Sequence, residues 1–187
     1  MAETAGNRMA LAYPGSLAVS GVGLLLAGYV LTDTGLPPWL ALALMVGGFL
    51  LWTLLEYLLH RFVLHGLWPF KAWHEIHHRL PDEPIRIPLM FSGPLMLVML
   101  LAPTLLLRNV AFGAALSIGL LAGEIVQEAV HERLHRVSEG GNEGRKGRGW
   151  LAVRRREHGF HHAQDARRAF GTLSGFWDRC LGTAPPG

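Results

Sequence analysis

Four apolar stretches, separated by short polar breaks, set the pattern of this chain. They run from Ser16 to Thr32, Trp39 to Leu59, Pro88 to Leu107 and Val110 to about Val130. A helix crosses the hydrocarbon core of a membrane in about 20 apolar residues, so each is a candidate span, the first of them at the short limit. No segment alternates polar and apolar residues with the period of two that a strand requires, so the parts outside the spans are also expected to be helical. The breaks have their own chemistry. Asp33–Pro38 is a turn with two prolines, and Arg108–Asn109 is a very tight link. Trp39 suits the membrane–water boundary, and Pro94 is placed to kink the third span. Gly119 and Gly123 form a G-x-x-x-G pair that allows close helix approach. Gly21, Gly23, Ala27 and Gly28 superficially resemble a dinucleotide-binding turn, but that motif needs a strand, a turn and a helix in sequence. Here they read as small residues for helix packing. No A-x-A-like cleavage site follows the first stretch, so it reads as a retained helix rather than a signal peptide.

The fold class expected is therefore all-α integral membrane: four transmembrane helices with a helical cytoplasmic cap, in one domain over residues 1–187. Composition agrees. Half of the 187 residues are hydrophobic, and the length leaves no room for an appended redox module of ordinary size. The net charge is only +3, yet eleven of the seventeen Lys and Arg residues lie after residue 130. Arg8, the four basic residues between 61 and 86, and those eleven fit one side of the membrane, leaving Arg108 alone opposite. That asymmetry places both termini in the cytoplasm, in the inner membrane if the cell is bacterial. Because the basic residues interleave with histidines beside the spans, they read as membrane-surface charge, and nucleic acid is not an expected partner. Residues 136–150, rich in glycine and charge, are expected to form a flexible loop against headgroups or a lid. The single cysteine, Cys180, excludes an intramolecular disulfide and a four-cysteine cluster.

The chemistry lies in the histidines. All ten fall at the ends of apolar stretches, as His60, His65, His74, His77 and His78, then His131, His135, His158, His161 and His162. Each set of five contains a spaced pair followed by H-x-x-H-H. Residues three and four apart share a helix face, so His74, His77 and His78 are expected to converge, as are His158, His161 and His162. His60 and His65 lie about 140° apart on an α-helix, which requires a helix end between them or two different ions. No single ion takes ten imidazoles, so two ions with about five nitrogens each is the natural division. Imidazole suits zinc, copper, iron and nickel alike, and a structural zinc site would saturate at four ligands. A shell of neutral nitrogens calls for carboxylates around it. Glu56, one turn before His60, Glu128, three residues before His131, and Asp178 are the candidates for that outer role. Glu75, Glu132 and Glu157 read equally well as solvated, and Glu124 and Gln127 as ligand-orienting or as capping a polar cavity.

The segments EYLLHRFVLHG, HEIHH, HERLH and EHGFHHAQDARRAFGTLSGFWDRCLGT resemble the histidine boxes of the fatty acid hydroxylase/sterol desaturase superfamily, and most nearly the fatty acid 2-hydroxylases. The resemblance covers about residues 52–183. It implies that the ten histidines hold two iron ions, that zinc can replace them in purified material, and that O2 is the co-substrate for hydroxylation of a membrane lipid acyl chain. The cytochrome b5 domain fused to eukaryotic 2-hydroxylases has no counterpart in this sequence. All ten histidines are otherwise engaged, so a separate electron donor is expected: a cytochrome b5-like, ferredoxin or rubredoxin protein, docked on arginines that include Arg154, Arg155 and Arg156. Trp68 and Trp73 read as interface anchors or substrate contacts. The alternatives are a sterol, carotenoid or other isoprenoid substrate, desaturation as the outcome, or a membrane protein that stores, senses or carries metal. Oligomeric state has no signature in the sequence. The charge asymmetry gives a direct test: a reporter fused after Gly187 is active only on the cytoplasmic side, and one active only outside reverses the orientation.

Overall fold

The computed structural model describes residues 10–81, 83–136 and 148–186, and is mostly helical. In chain order its elements are β1 (Ala10–Ala12), α1 (Leu17–Thr32), α2 (Pro38–Leu58) continuing as a π-helix (Leu59–Leu64), α3 (Phe70–Arg79), β2 (Arg86–Pro88), α4 (Leu89–Leu107), α5 (Val110–His135), α6 (Trp150–Ala163) and α7 (Phe176–Cys180). Among the described residues, three helices are long and apolar enough to cross a membrane: Pro38–Leu64, Leu89–Leu107 and Val110–His135. The helix Leu17–Thr32 has 16 residues, hence a rise of about 24 Å, short of a hydrocarbon core of about 30 Å. The chain divides into two compact units, one of Met1–Trp52 and Ile85–Val126, the other of Thr53–Pro84 and Gln127–Gly187. Most of the loop expected over 136–150 lies outside the described residues.

The first unit is built on close helix contact. Gly119 abuts the Met45 carbonyl, where an added Cβ would come within 2.0 Å of the oxygen. Gly48 faces the Leu116 carbonyl in the same way, and Gly123 receives the Trp52 side chain. The G-x-x-x-G pair thus does what its spacing predicts. In α1 the expectation holds only in part: Gly23 faces Met96 and Leu121, whereas a methyl group on Gly21 or Gly28 would meet no atom within 4 Å. Leu25, Tyr29, Trp39, Leu42, Leu101, Leu105 and Leu106 are all more than half exposed, an outward apolar surface suited to lipid. Arg108 takes a left-handed conformation (φ 51°) at the tight link, and Asn109 Oδ1 accepts the Phe112 N–H at 3.0 Å to start α5. Two strands of three residues each, β1 and β2, pair antiparallel with Leu11 opposite Ile87, a feature too short for alternation to reveal.

The second unit has a polar interior. Tyr57, Phe170, His161, Thr172 and Asp178 are among its most buried side chains, with His60, His74, His158 and Arg154 also buried. Its buried polar groups make hydrogen bonds that are costly to leave unmade.

Gly119 provides the test of the first unit. Gly119→Val forces α2 and α5 apart and lowers stability by about 1–3 kcal/mol, read as a lower melting temperature in detergent. Gly28→Ala, facing open space in a helix interior, does not lower it; equal losses in the two would contradict the packing described.

Candidate metal centre

The ten imidazoles gather into two groups of five. His60, His65, His74, His78 and His161 form the first, and His77, His131, His135, His158 and His162 the second; within each, one ligand atom per residue lies within 4.8 Å of the others. The division is not the one that sequence halves suggest. His161 joins the first five and His77 the second, so each H-x-x-H-H box serves both groups. Helix geometry explains this. Residues i and i+4 lie about 40° apart and belong together (His74 with His78, His158 with His162), while the adjacent i+3 residue is turned about 100° from its neighbour. His77 and His161 therefore face the other group. The expected convergence of all three residues of a box on one side does not occur.

His60 and His65 share the first group, with a helix end between them as expected: the helix closes at Leu64 and His65 caps it. The turn from Leu59 to Leu64 is π-helical, and the His65 N–H donates to the His60 carbonyl at 3.1 Å. Widening the turn to an i→i+5 bond brings residues five apart onto one face. The wider turn supplies what α-helical spacing denies.

The nitrogens meet at metal-ligand spacing. In the first group Nε2 of His60 lies 2.9 Å from that of His74 and 3.3 Å from that of His65, and His65 lies 3.0 Å from His161. In the second, His131, His158 and His135 form a triangle with sides of 3.0, 2.8 and 3.2 Å. Metal–nitrogen bonds of about 2.0–2.1 Å set neighbouring nitrogens about 2.9 Å apart in an octahedron and about 3.3 Å apart in a tetrahedron. Hydrogen bonding cannot satisfy the triangle. A ring nitrogen is either a donor or an acceptor, so at least one of three mutual contacts sets like against like. A cation among the lone pairs removes the conflict, and His77 Nε2 and His162 Nε2 are likewise buried without a hydrogen-bond partner. The donor set fits an imidazole-loving ion such as iron, zinc or copper. The groups also touch each other: the His78 and His162 rings stack at 4.0 Å with 8° between planes.

Outside the candidate spans the imidazoles resist protonation. Burial, reinforced by neighbouring imidazoles, pushes His65 and His77 down to about 3 and His78 to about 4. Burial takes His161 to about 4 against the opposing pull of the Arg168 carbonyl, and lowers His74, His158 and His162 as well. These rings are neutral at pH 7, as ligands must be.

Two of the three carboxylates, Asp178 and Glu56, act one layer further out than their spacing predicts. His60 Nδ1 donates to the Phe170 carbonyl (2.5 Å) and His161 Nδ1 to the Arg168 carbonyl (2.7 Å). Asp178 in turn accepts the N–H groups of Phe170 and Gly171, both at 2.9 Å, and the Thr183 hydroxyl at 2.8 Å. Glu56 Oε1 accepts the Thr172 hydroxyl, the Thr172 N–H (2.5 Å) and the Leu173 N–H (3.3 Å). Glu128 is buried three residues before His131. Glu75 is half exposed between Lys71 and Arg79, a solvated position, and Glu132 is buried 3.5 Å from Arg136. The carbonyls of Arg168 and Phe170 could not be found by residue type. Their only trace in the sequence is the F-G-x-[ST] tail. The Phe170 ring also edges against His60, His65 and His161 at 5.5–5.6 Å. One arginine of the expected docking surface is elsewhere: Arg154 is 3% exposed, paired with Glu157 and donating to the Gly171 carbonyl. Arg156 stays exposed, as does Trp68, while Trp73 is half-buried.

A pH dependence follows. A histidine lowered in the folded state contributes stability above its unfolded value near 6.5, lost as pH falls toward the folded value of about 3 to 4. The metal-free protein should therefore melt at progressively lower temperature from pH 7 to pH 5, and bound metal should move that loss to lower pH. A flat profile for the metal-free protein would contradict the burial of neutral rings.

Comparison with known proteins places this geometry. The fatty acid hydroxylase family model matches residues 45–183. The chain is 29% identical to the ceramide very long chain fatty acid hydroxylase scs7 of Schizosaccharomyces pombe, over 85% of this chain and 47% of that protein. It is 30% identical to the dihydroceramide fatty acyl 2-hydroxylase FAH2 of Arabidopsis thaliana (74% and 59%) and to the human fatty acid 2-hydroxylase (76% and 39%). It thus spans about half the length of the curated relatives it matches. Among solved structures, the hydroxylase domain of full-length scs7p superposes with a TM-score of 0.70 at 25% identity, covering 95% of this chain and 68% of that one. The chain belongs to the fatty acid hydroxylase family.

Proposed function

We propose that this protein is an O2-dependent, non-haem di-iron monooxygenase that hydroxylates a lipid acyl chain, at carbon 2 as in the fatty acid 2-hydroxylases it resembles. The observation that carries the reading is the pair of five-imidazole groups, each at metal-ligand spacing. His60, His65, His74, His78 and His161 hold one ion, and His77, His131, His135, His158 and His162 the other, with zinc able to substitute. Bound iron supplies what no side chain of the protein can: activation of O2 for hydroxylation of an unactivated C–H bond.

The chain's own residues do the rest. The Phe170 and Arg168 carbonyls hold protons on the Nδ1 atoms of His60 and His161, leaving their Nε2 lone pairs for metal. Burial keeps the imidazoles neutral. The membrane reading adds Leu17–Thr32 as a fourth, short span, with the termini and the histidines on the cytoplasmic side under a helical cap; its support is the basic asymmetry. The site lies at the ends of apolar helices, so an acyl chain enters from the bilayer, with Trp68 at the interface.

Electrons come from a separate carrier, a cytochrome b5-like, ferredoxin or rubredoxin protein. All ten histidines lie in the two groups, and the one cysteine, Cys180, is exposed and alone. Arg133, Arg136 and Arg156 are among the exposed arginines for docking an acidic partner, an encounter that salt weakens.

The test is lipid mass spectrometry after labelling with 18O2 in cells with and without the gene. The expected product is a 2-hydroxy acyl chain carrying one labelled oxygen, absent when His77→Ala or His161→Ala replaces the natural chain. The iron-loaded protein with NAD(P)H and O2 alone should not turn over until a carrier is added. A labelled sterol or carotenoid with unlabelled acyl chains would overturn the substrate, and sustained turnover without a carrier would reveal another redox centre.

A further inference from the structure

The two imidazole groups differ in how four of their rings are held, His60 and His161 in the first and His158 and His162 in the second. In the first, His60 and His161 are tied by Nδ1 to the carbonyls of Phe170 and Arg168. In the second, the Nδ1 atoms of His158 and His162 are buried with no hydrogen-bond partner. The difference traces to residues 168–173, a stretch outside helix and strand that borders the first group.

Every backbone N–H from residue 169 to 173 in that stretch has an acceptor. Ala169 donates to the Thr183 carbonyl at 2.8 Å, Phe170 and Gly171 to the two oxygens of Asp178, and Thr172 and Leu173 to Glu56. Ala169, 1% exposed, holds a left-handed conformation (φ 56°) between the two carbonyls that reach the imidazoles. A residue with a side chain stays in that region only when its surroundings over-determine it. A methyl group on Gly171 would come within 2.1 Å of the Ser174 carbonyl and 3.1 Å of Asp178 Oδ2, so the stretch closes tightly over the carboxylate. Asp178 is itself 1% exposed and accepts three bonds.

We propose that residues 168–173 are a clamp that presets the first metal centre, with Asp178 as its positioning residue, and that the second centre is organised by its ion. The proposal rests on the dimetal reading. A ligand already oriented, with its tautomer set, loses less freedom on binding, and removing such an outer partner typically weakens metal affinity by about 10–100-fold. The first centre is therefore the tighter of the two, and Asp178 acts on it alone. Asp178→Asn keeps the shape but presents an NH2 to one of the two N–H donors, so one anchor of the clamp becomes a conflict.

The full chain in detergent micelles, loaded with zinc, is titrated with a chelator and its bound metal followed by elemental analysis. Release is expected in two steps. His135→Ala should retain only the tight step and His65→Ala only the loose one. Asp178→Asn should shift the tight step by about 10–100-fold, equally in the His135→Ala background, and leave the loose step of His65→Ala unmoved. Should Asp178→Asn fail to fold, Thr183→Val, which removes one donor to the same carboxylate, reads the same step with a smaller shift. Equal weakening of both steps, no shift in either variant, or a shift in the His65→Ala background would overturn the clamp. Two zinc ions leaving together from the unaltered chain would also overturn it. A chain that takes up no zinc or iron would instead sink the dimetal reading itself.

Discussion

A ring nitrogen of histidine can donate or accept, but not both, and most of this structure answers to that restriction. Ten imidazoles brought together in a buried space cannot satisfy one another by hydrogen bonding. The His131–His135–His158 triangle shows this, with three nitrogens in mutual contact at 2.8–3.2 Å. For the imidazoles outside the candidate spans, burial disfavours the protonated form, and with it relief by protonation at neutral pH. What remains is a cage of lone pairs suited to a cation.

Local helix geometry decides how the cage is divided. Boxes of the form H-x-x-H-H look like single three-ligand faces, yet the turn of an α-helix separates the central residue of each from its partners. That separation links the two groups, because each box serves both. The π turn between His60 and His65 is the complementary device, bringing together two residues whose α-helical positions would part them. Such turns interrupt regular helices at a cost that packing must offset, and they recur at functional sites.

The acidic residues show how an outer layer can work at one remove. A carboxylate that accepts directly from a ligand ring orients that ring alone. Asp178 and Glu56 take the N–H groups of a backbone stretch instead, and the carbonyls of the same stretch orient two rings from two different helices. Placing Arg154 in the interior, on Glu157 and the Gly171 carbonyl, serves the same stretch and removes that arginine from the surface.

Hydropathy alone was enough to mark the long helices, since about 20 apolar residues without charge have few other stable fates. The spacing of Gly119 and Gly123 marked a close-contact face on α5, because only glycine allows backbones to approach so closely, while its partner α2 came from the structure. Histidine type and number pointed to metal ligation, since coordination numbers are bounded whatever the fold, and the structure gathers the ten into two groups of five. The allotment of His77 and His161 was not legible, because it depends on helix phase and on which box faces which. The π turn was hidden as well: nothing in LHRFVL distinguishes a turn of five residues from one of four until surrounding packing selects it. The roles of Phe170 and Arg168 lay further out of reach. Every residue carries a carbonyl, so its use as a hydrogen-bond acceptor is written in the path of the chain rather than in the side chain, and only the tertiary structure decides where that path runs.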